Sequence, residues 1–117
     1  MKARWLLILI ALLAPTAAGA KILVPMDDRQ TDHLKAYGLA YWSLAHGGKI
    51  DWLLNYRGGS FLMAEDPSID REAKIRGVAT EEVTSAGEAA ILATIEDNNM
   101  EKVVLEKAPR IAVYVPP

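Results

Sequence analysis

No cysteine occurs among the 117 residues. That absence excludes disulfides, thiolate metal sites, a cysteine nucleophile and the cysteine a lipoprotein anchor needs. Only one phenylalanine and two histidines are present. No Ser-His-Asp order, HExxH pattern or Gly-Lys-Ser/Thr phosphate loop appears, so the common catalytic signatures are missing. No apolar run reaches the roughly twenty residues a membrane span requires. Nothing repeats, and no stretch is of low complexity.

What is present begins with Lys2, Arg4 and the apolar run Trp5–Leu13. Pro15 breaks that run, and Ala18-Gly19-Ala20 offers small residues for cleavage. This is the pattern of a secretory signal peptide over residues 1–20, cut after Ala20. It implies an exported protein, periplasmic or extracellular, with no membrane anchor once cleaved. The remaining chain keeps eleven basic against fifteen acidic residues, a formal net charge of −4. An acidic balance argues against nucleic acid or an anionic membrane as partner.

The apolar spacing predicts strands alternating with helices. Ile22-Leu23-Val24 is a continuous apolar run closed by Pro25, the form of a strand buried on both faces, as in parallel sheets. His33–Ala45 reads as a helix that is apolar over most of its circumference. Leu34, Tyr37, Gly38, Tyr41 and Ala45 share one helical spacing, with Leu39, Trp42 and Leu44 beside them. Gly38 in mid-helix suggests close backbone approach. Ile50–Tyr56 and Ser60–Met63 read as strands joined through Arg57-Gly58-Gly59, a turn suited to positive φ. Asp66-Pro67 opens a second helix as N-cap and first-turn proline, and Gly77 closes it. Val78–Val83 is a short strand. Ser85 with Glu88 reads as the capping box of a third helix. Lys102–Glu106 and Ile111–Val115 are further strands.

Alternation of this kind predicts an α/β fold with three layers and a mostly parallel sheet. The first two strands would then be neighbours in a right-handed βαβ unit, their loops opening on one edge. The domain reading is 1–20 signal, 21–108 an N-terminal α/β region, and 109–117 the first strand of a continuing region. A buried strand at Ile111–Val115 with nothing after it to cover it makes an early stop the expectation.

Lys21–Met63 (KILVPMDDRQTDHLKAYGLAYWSLAHGGKIDWLLNYRGGSFLM), KIRGV at Lys74–Val78 and KAPRIAVYVPP ending at Pro117 resemble exported bacterial proteins labelled asparagine synthetase B. The resemblance implies a protein several times longer. After a strand like Ile111–Val115 it would enter a region similar to amidotransferase-like or flavodoxin-like α/β folds. Asparagine synthesis itself is not implied. The N-terminal cysteine nucleophile and the Ser-Gly-Gly-x-Asp-Ser loop of true synthetases are both absent, Gly58-Gly59-Ser60 being the nearest string.

Three groups of residues invite a functional reading. Asp27, Asp28, Asp32 and His33 lie between the first strand and helix. Acids there suit helix capping, and oxygen with imidazole ligands could also hold a divalent metal. Asp27, Asp28 and His33 would line a ligand site, with Arg57 as the anion-side partner. Arg57-Gly58-Gly59 could cradle a carboxylate or phosphate, or be a plain hairpin turn with an exposed arginine. Tyr37, Tyr41, Trp42 and Trp52 could line a sugar or peptide groove, although aromatics at helical spacing normally face the core. His46 suits the helix C-terminus. No catalytic residue and no cofactor is evident. The expected function is therefore a binding or structural module of an exported protein. The alternative is an enzyme acting on amides or glycans, its catalytic residues beyond Pro117.

Overall fold

A computed structural model describes residues 20–108. The expected signal segment, up to residue 19, and the expected strand Ile111–Val115 lie outside the described residues. Among the described residues five strands and three helices follow one another: β1 (Lys21–Val24), α1 (His33–Ala45), β2 (Ile50–Leu53), β3 (Ser60–Ala64), α2 (Pro67–Arg76), β4 (Glu81–Val83), α3 (Ser85–Asp97) and β5 (Lys102–Leu105).

The sheet corrects the parallel reading. Its order is β4-β1-β3-β2-β5, and all four pairings are antiparallel. β1 and β2 are not neighbours. β3 returns from the Arg57–Gly59 turn and inserts between them, setting Leu23 opposite Leu62 and Trp52 opposite Phe61. The run β1-α1-β2-β3-α2-β4 with order β4-β1-β3-β2 is the split βαβ, or ferredoxin-like, plan. α3 and β5 are added to it, β5 extending the sheet beyond β2.

The cause of the misreading is physical. A continuous apolar run reports burial on both faces, not strand direction. In β1, Ile22 and Val24 join the cluster under α1 and α2, with Ala36, Leu39, Leu44, Ile69 and Ala73. Leu23 joins the opposite cluster, with Leu62, Leu53, Ile91 and Ile95 of α3. Helices on both faces thus bury a central antiparallel strand as fully as a parallel one.

Local chemistry explains the helix ends. Asp32 caps α1, its carboxylate accepting from the Lys35 N–H at 3.0 Å. Asp66 caps α2 through the Ser68 N–H, with Pro67 at the first helical position, and Gly77 ends that helix at φ +70°. α3 differs from its expected capping box. Thr84, not Ser85, is the N-cap and accepts from the Gly87 N–H, while Glu88 pairs with Lys21 across on β1. The approach at Gly38 is by a side chain. A Cβ there would lie 2.9 Å from Arg76 Nη1, an arginine held by Glu72 at 2.9 Å. Among the described residues no helix is long and apolar enough to cross a membrane.

Candidate functional site

Two places gather the residues the sequence singles out. The first lies where β1 ends and β3 and β4 begin. Arg57, Gly58 and Gly59 all take positive φ, at 44°, 80° and 90°, which glycine adopts freely and arginine does not. The turn sits on the chain leaving β1. A Cβ on Gly58 would fall 2.4 Å from the Met26 carbonyl oxygen. The Met26 N–H donates to Arg57 O and to the hydroxyl of the buried Ser60, both at 3.3 Å. The Ser60 hydroxyl in turn donates to Arg57 O at 3.0 Å.

This seating aims the Arg57 guanidinium at two carboxylates. Nε donates to Asp27 Oδ2 at 2.7 Å and Nη2 to Asp27 Oδ1 at 3.4 Å. Nη1 and Nη2 donate to the two Glu81 oxygens at 2.8 and 2.9 Å. Both pairs are the two-pronged kind that suits a planar guanidinium. The hydrogen bonds from Arg57 hold Asp27 and Glu81 below the ordinary carboxylate range. Glu81, followed by Asp27, raises the arginine above its usual value.

The structure brings Asp27, His33 and Arg57 together and leaves Asp28 exposed on the outer side of the loop. His33 Nε2 lies 2.9 Å from Met26 O and 3.0 Å from Asp27 O, so it donates as an N–H to both carbonyls. Asp27 Oδ1 also accepts from the Arg29 N–H at 3.0 Å. Four of the five guanidinium N–H donors therefore point at carboxylates, and the arginine is not the freely exposed one of a plain hairpin. Among the described residues no three histidine, aspartate or glutamate side chains are grouped to hold a metal. The chemistry of this corner is that of a clasp joining three segments.

Gln30 completes the clasp and gave no signal in the sequence. It is buried, donates to Pro25 O at 2.9 Å and Ala79 O at 3.0 Å, and accepts from the N–H of Ala79 at 2.8 Å and of Thr31 at 3.1 Å. One amide thus ties the β1–α1 loop to the α2–β4 loop. Glutamine in a polar turn reads as exposed; only the tertiary position of Ala79 reveals it.

The second place is an apolar groove of about 380 Å³ between α1 and the sheet, lined by Tyr37, Tyr41 and Leu44 of α1, Trp52 of β2, Phe61 of β3 and Leu105 of β5, with Ala40 and Lys107 completing it. Its origin is the double apolar face of α1. Ala36, Leu39, Ala40, Ser43 and Leu44 make the buried face. The regularly spaced set read as core is instead the outer stripe. Leu34 is 81 % exposed, Tyr37 50 % and Tyr41 44 %. The expectation of core packing fails for both tyrosines, while Trp42 and Trp52 are half-buried against the core.

The rings are ordered. Tyr37 meets Phe61 edge-on at 5.9 Å between centroids, and Phe61 stacks with Trp52 at 6.1 Å. Trp52 Nε1 donates to Gly59 O at 3.2 Å, so its polar edge is committed to the hairpin turn and the indole keeps its orientation. Trp42 turns to His46 instead, stacked at 4.2 Å, and His46 Nδ1 lies 2.7 Å from Trp42 O at the end of α1. The groove lies between one side of α1 and the strands β2, β3 and β5. Chemically it offers aromatic and aliphatic surface, with Lys107 as the one charged lining residue among the described residues. Comparison with family models, with curated proteins and with solved structures finds no match to this chain.

Proposed function

We propose that this chain serves as a binding module of an exported protein, and that its groove holds an apolar polypeptide segment. The observation that carries the reading is that the half-exposed Tyr37 and Tyr41 stand with Trp52 over an open groove floored by the buried Phe61, when α1 has a second, complete apolar face for its own core. Soluble domains seldom leave contiguous aromatic surface uncovered without a partner. Sugars are a poorer fit. Their hydroxyls need several polar partners beside the aromatic platform, and here the indole N–H already donates to Gly59 O and Lys107 is the one charged neighbour among the described residues. The Arg57 corner supports the same reading, since its charged groups satisfy one another. The resemblance to exported proteins labelled asparagine synthetase B is compatible with a module of this kind preceding a larger region.

Hydroxyl-radical footprinting of the chain to Pro117, with and without an added apolar peptide, tests the reading. Leu34 serves as the freely exposed standard on the same helix. Tyr37 and Tyr41 should be protected beyond what their exposure within residues 20–108 implies, by the chain itself or by the peptide. Oxidation in proportion to that exposure under both conditions would refute it.

A further inference from the structure

We infer that the polypeptide segment taken by the groove belongs to a separate partner and carries an acidic side chain among its apolar ones, placed to meet Lys107 at the rim. This inference rests on the groove being a binding site for an apolar segment, and adds the charge that segment brings.

Lys107 lines the groove beside Leu105. The two are two residues apart, so an extended chain turns them to one side and Glu106 to the other. Glu106 instead reaches Lys49 at 3.8 Å. Lys107 itself is exposed, which lets its aliphatic stem extend the apolar wall while the ammonium keeps its water.

The walls of the groove supply no carboxylate to that ammonium. α1 holds neither Asp nor Glu between His33 and Ala45, and β3 and β5 hold none along their lengths. β2 has Asp51, but Asp51 stands opposite Leu62 in the ladder. Leu62 belongs to the cluster packed by α3, on the other face of the sheet. Among the described residues Lys107 enters no ion pair. The Tyr37 and Tyr41 hydroxyls donate as well as accept, so they select neither sign of charge. The groove therefore combines an apolar surface with one positive rim charge that has no counter-charge among the described residues. A carboxylate on the incoming segment completes it, whereas a lysine or arginine at that place meets like charge.

Peptide display on the chain to Pro117 tests this. A random-peptide library is panned against the wild-type chain and against Lys107→Glu, a change at an exposed side chain outside the core. The wild type should enrich apolar and aromatic peptides bearing one Asp or Glu. Lys107→Glu should exchange that acid for Lys or Arg. Fluorescence anisotropy of the best wild-type peptide should show its amide counterpart, Gln for Glu or Asn for Asp, binding about two- to fivefold more weakly at low salt. That difference should vanish at about 1 M salt. Apolar peptides enriched without an acid would overturn the inference and leave the binding reading standing. Acidic peptides enriched equally on both proteins would do the same, since their carboxylate would then sit away from residue 107. No enrichment, with Tyr37 and Tyr41 already protected from oxidation in the chain alone, also removes only this inference. No enrichment, with both tyrosines oxidised in proportion to their exposure, removes both.

Discussion

Replacing Gly58 by alanine probes how the clasp at the sheet end is built. The residue has φ +80°, and an added Cβ would fall 2.4 Å from Met26 O and 2.8 Å from Met26 C. Left-handed backbone costs an L-residue about 1–2 kcal/mol. The clash is with backbone, so no rotamer relieves it, and the turn must retreat by roughly 1 Å to reach ordinary contact. That retreat pulls Arg57 O and the Ser60 hydroxyl away from the Met26 N–H, which both now satisfy at 3.3 Å. Leaving one buried N–H unpaired adds about 1–3 kcal/mol. The sum is about 2–5 kcal/mol, a large share of the stability of a small domain. Gly77→Ala is the matched control. Its φ of +70° is similar, but a Cβ there meets nothing within 4 Å, so the conformational penalty of about 1–2 kcal/mol stands alone. For a domain of this size about 1 kcal/mol lowers Tm by 4–8 °C. Urea and thermal unfolding of both variants should separate them by a further 2 kcal/mol, or roughly 10 °C or more. Equal losses would show that the Gly58 contact with Met26 is not what fixes the turn.

Other outcomes follow from the same corner and from α1. Asp27 and Glu81 have lowered folded pKa values through Arg57, so their stabilisation is complete above the unfolded carboxylate range near pH 4 and is lost as pH falls through the lower folded values. Arg57→Met should flatten that acid limb of the urea-midpoint profile between pH 2 and 7; an unchanged limb contradicts the assignment. Gln30→Ala should cost about 2–3 kcal/mol by stranding the Ala79 N–H and its neighbours, and Gln30→Glu should be worse at neutral pH because a carboxylate would face Pro25 O and Ala79 O. Chemical denaturation of the pair checks both size and order. Gly38→Ala should be neutral or mildly stabilising, by up to about 0.5–1 kcal/mol from helix propensity, since the atom in its way is the movable tip of Arg76. A loss beyond 1 kcal/mol in thermal melts would mean that the arginine cannot give way.

Much of the local structure was legible. Asp66-Pro67 and Gly77 delimit α2, and Arg57-Gly58-Gly59 marks the hairpin, because capping and positive φ are written in single residues. Strand order was not legible. Nothing in Ile22-Leu23-Val24 distinguishes an antiparallel centre covered by α3 from a parallel one, and the short return from Ser60 decides it by placing β3 between β1 and β2. Glu81 and Gln30 escaped for the same reason, since their partners Arg57 and Ala79 are 24 and 49 residues away. The groove escaped because α1 carries two apolar faces, and the regular spacing of Leu34, Tyr37 and Tyr41 does not say which of them the sheet takes. The tighter packing of Ala36, Leu39 and Ala40 chose the core side.

Proton contacts of its rings show whether the aromatic groove holds an apolar segment. Aromatic-edited nuclear Overhauser spectra of the isotope-labelled chain to Pro117 can be recorded alone and with an added apolar peptide. Tyr37, Tyr41 and Trp52 ring protons should contact aliphatic protons from outside residues 20–108, of the chain or of the peptide. Rings that contact only Phe61, Leu105 and their other groove neighbours in both samples would contradict it.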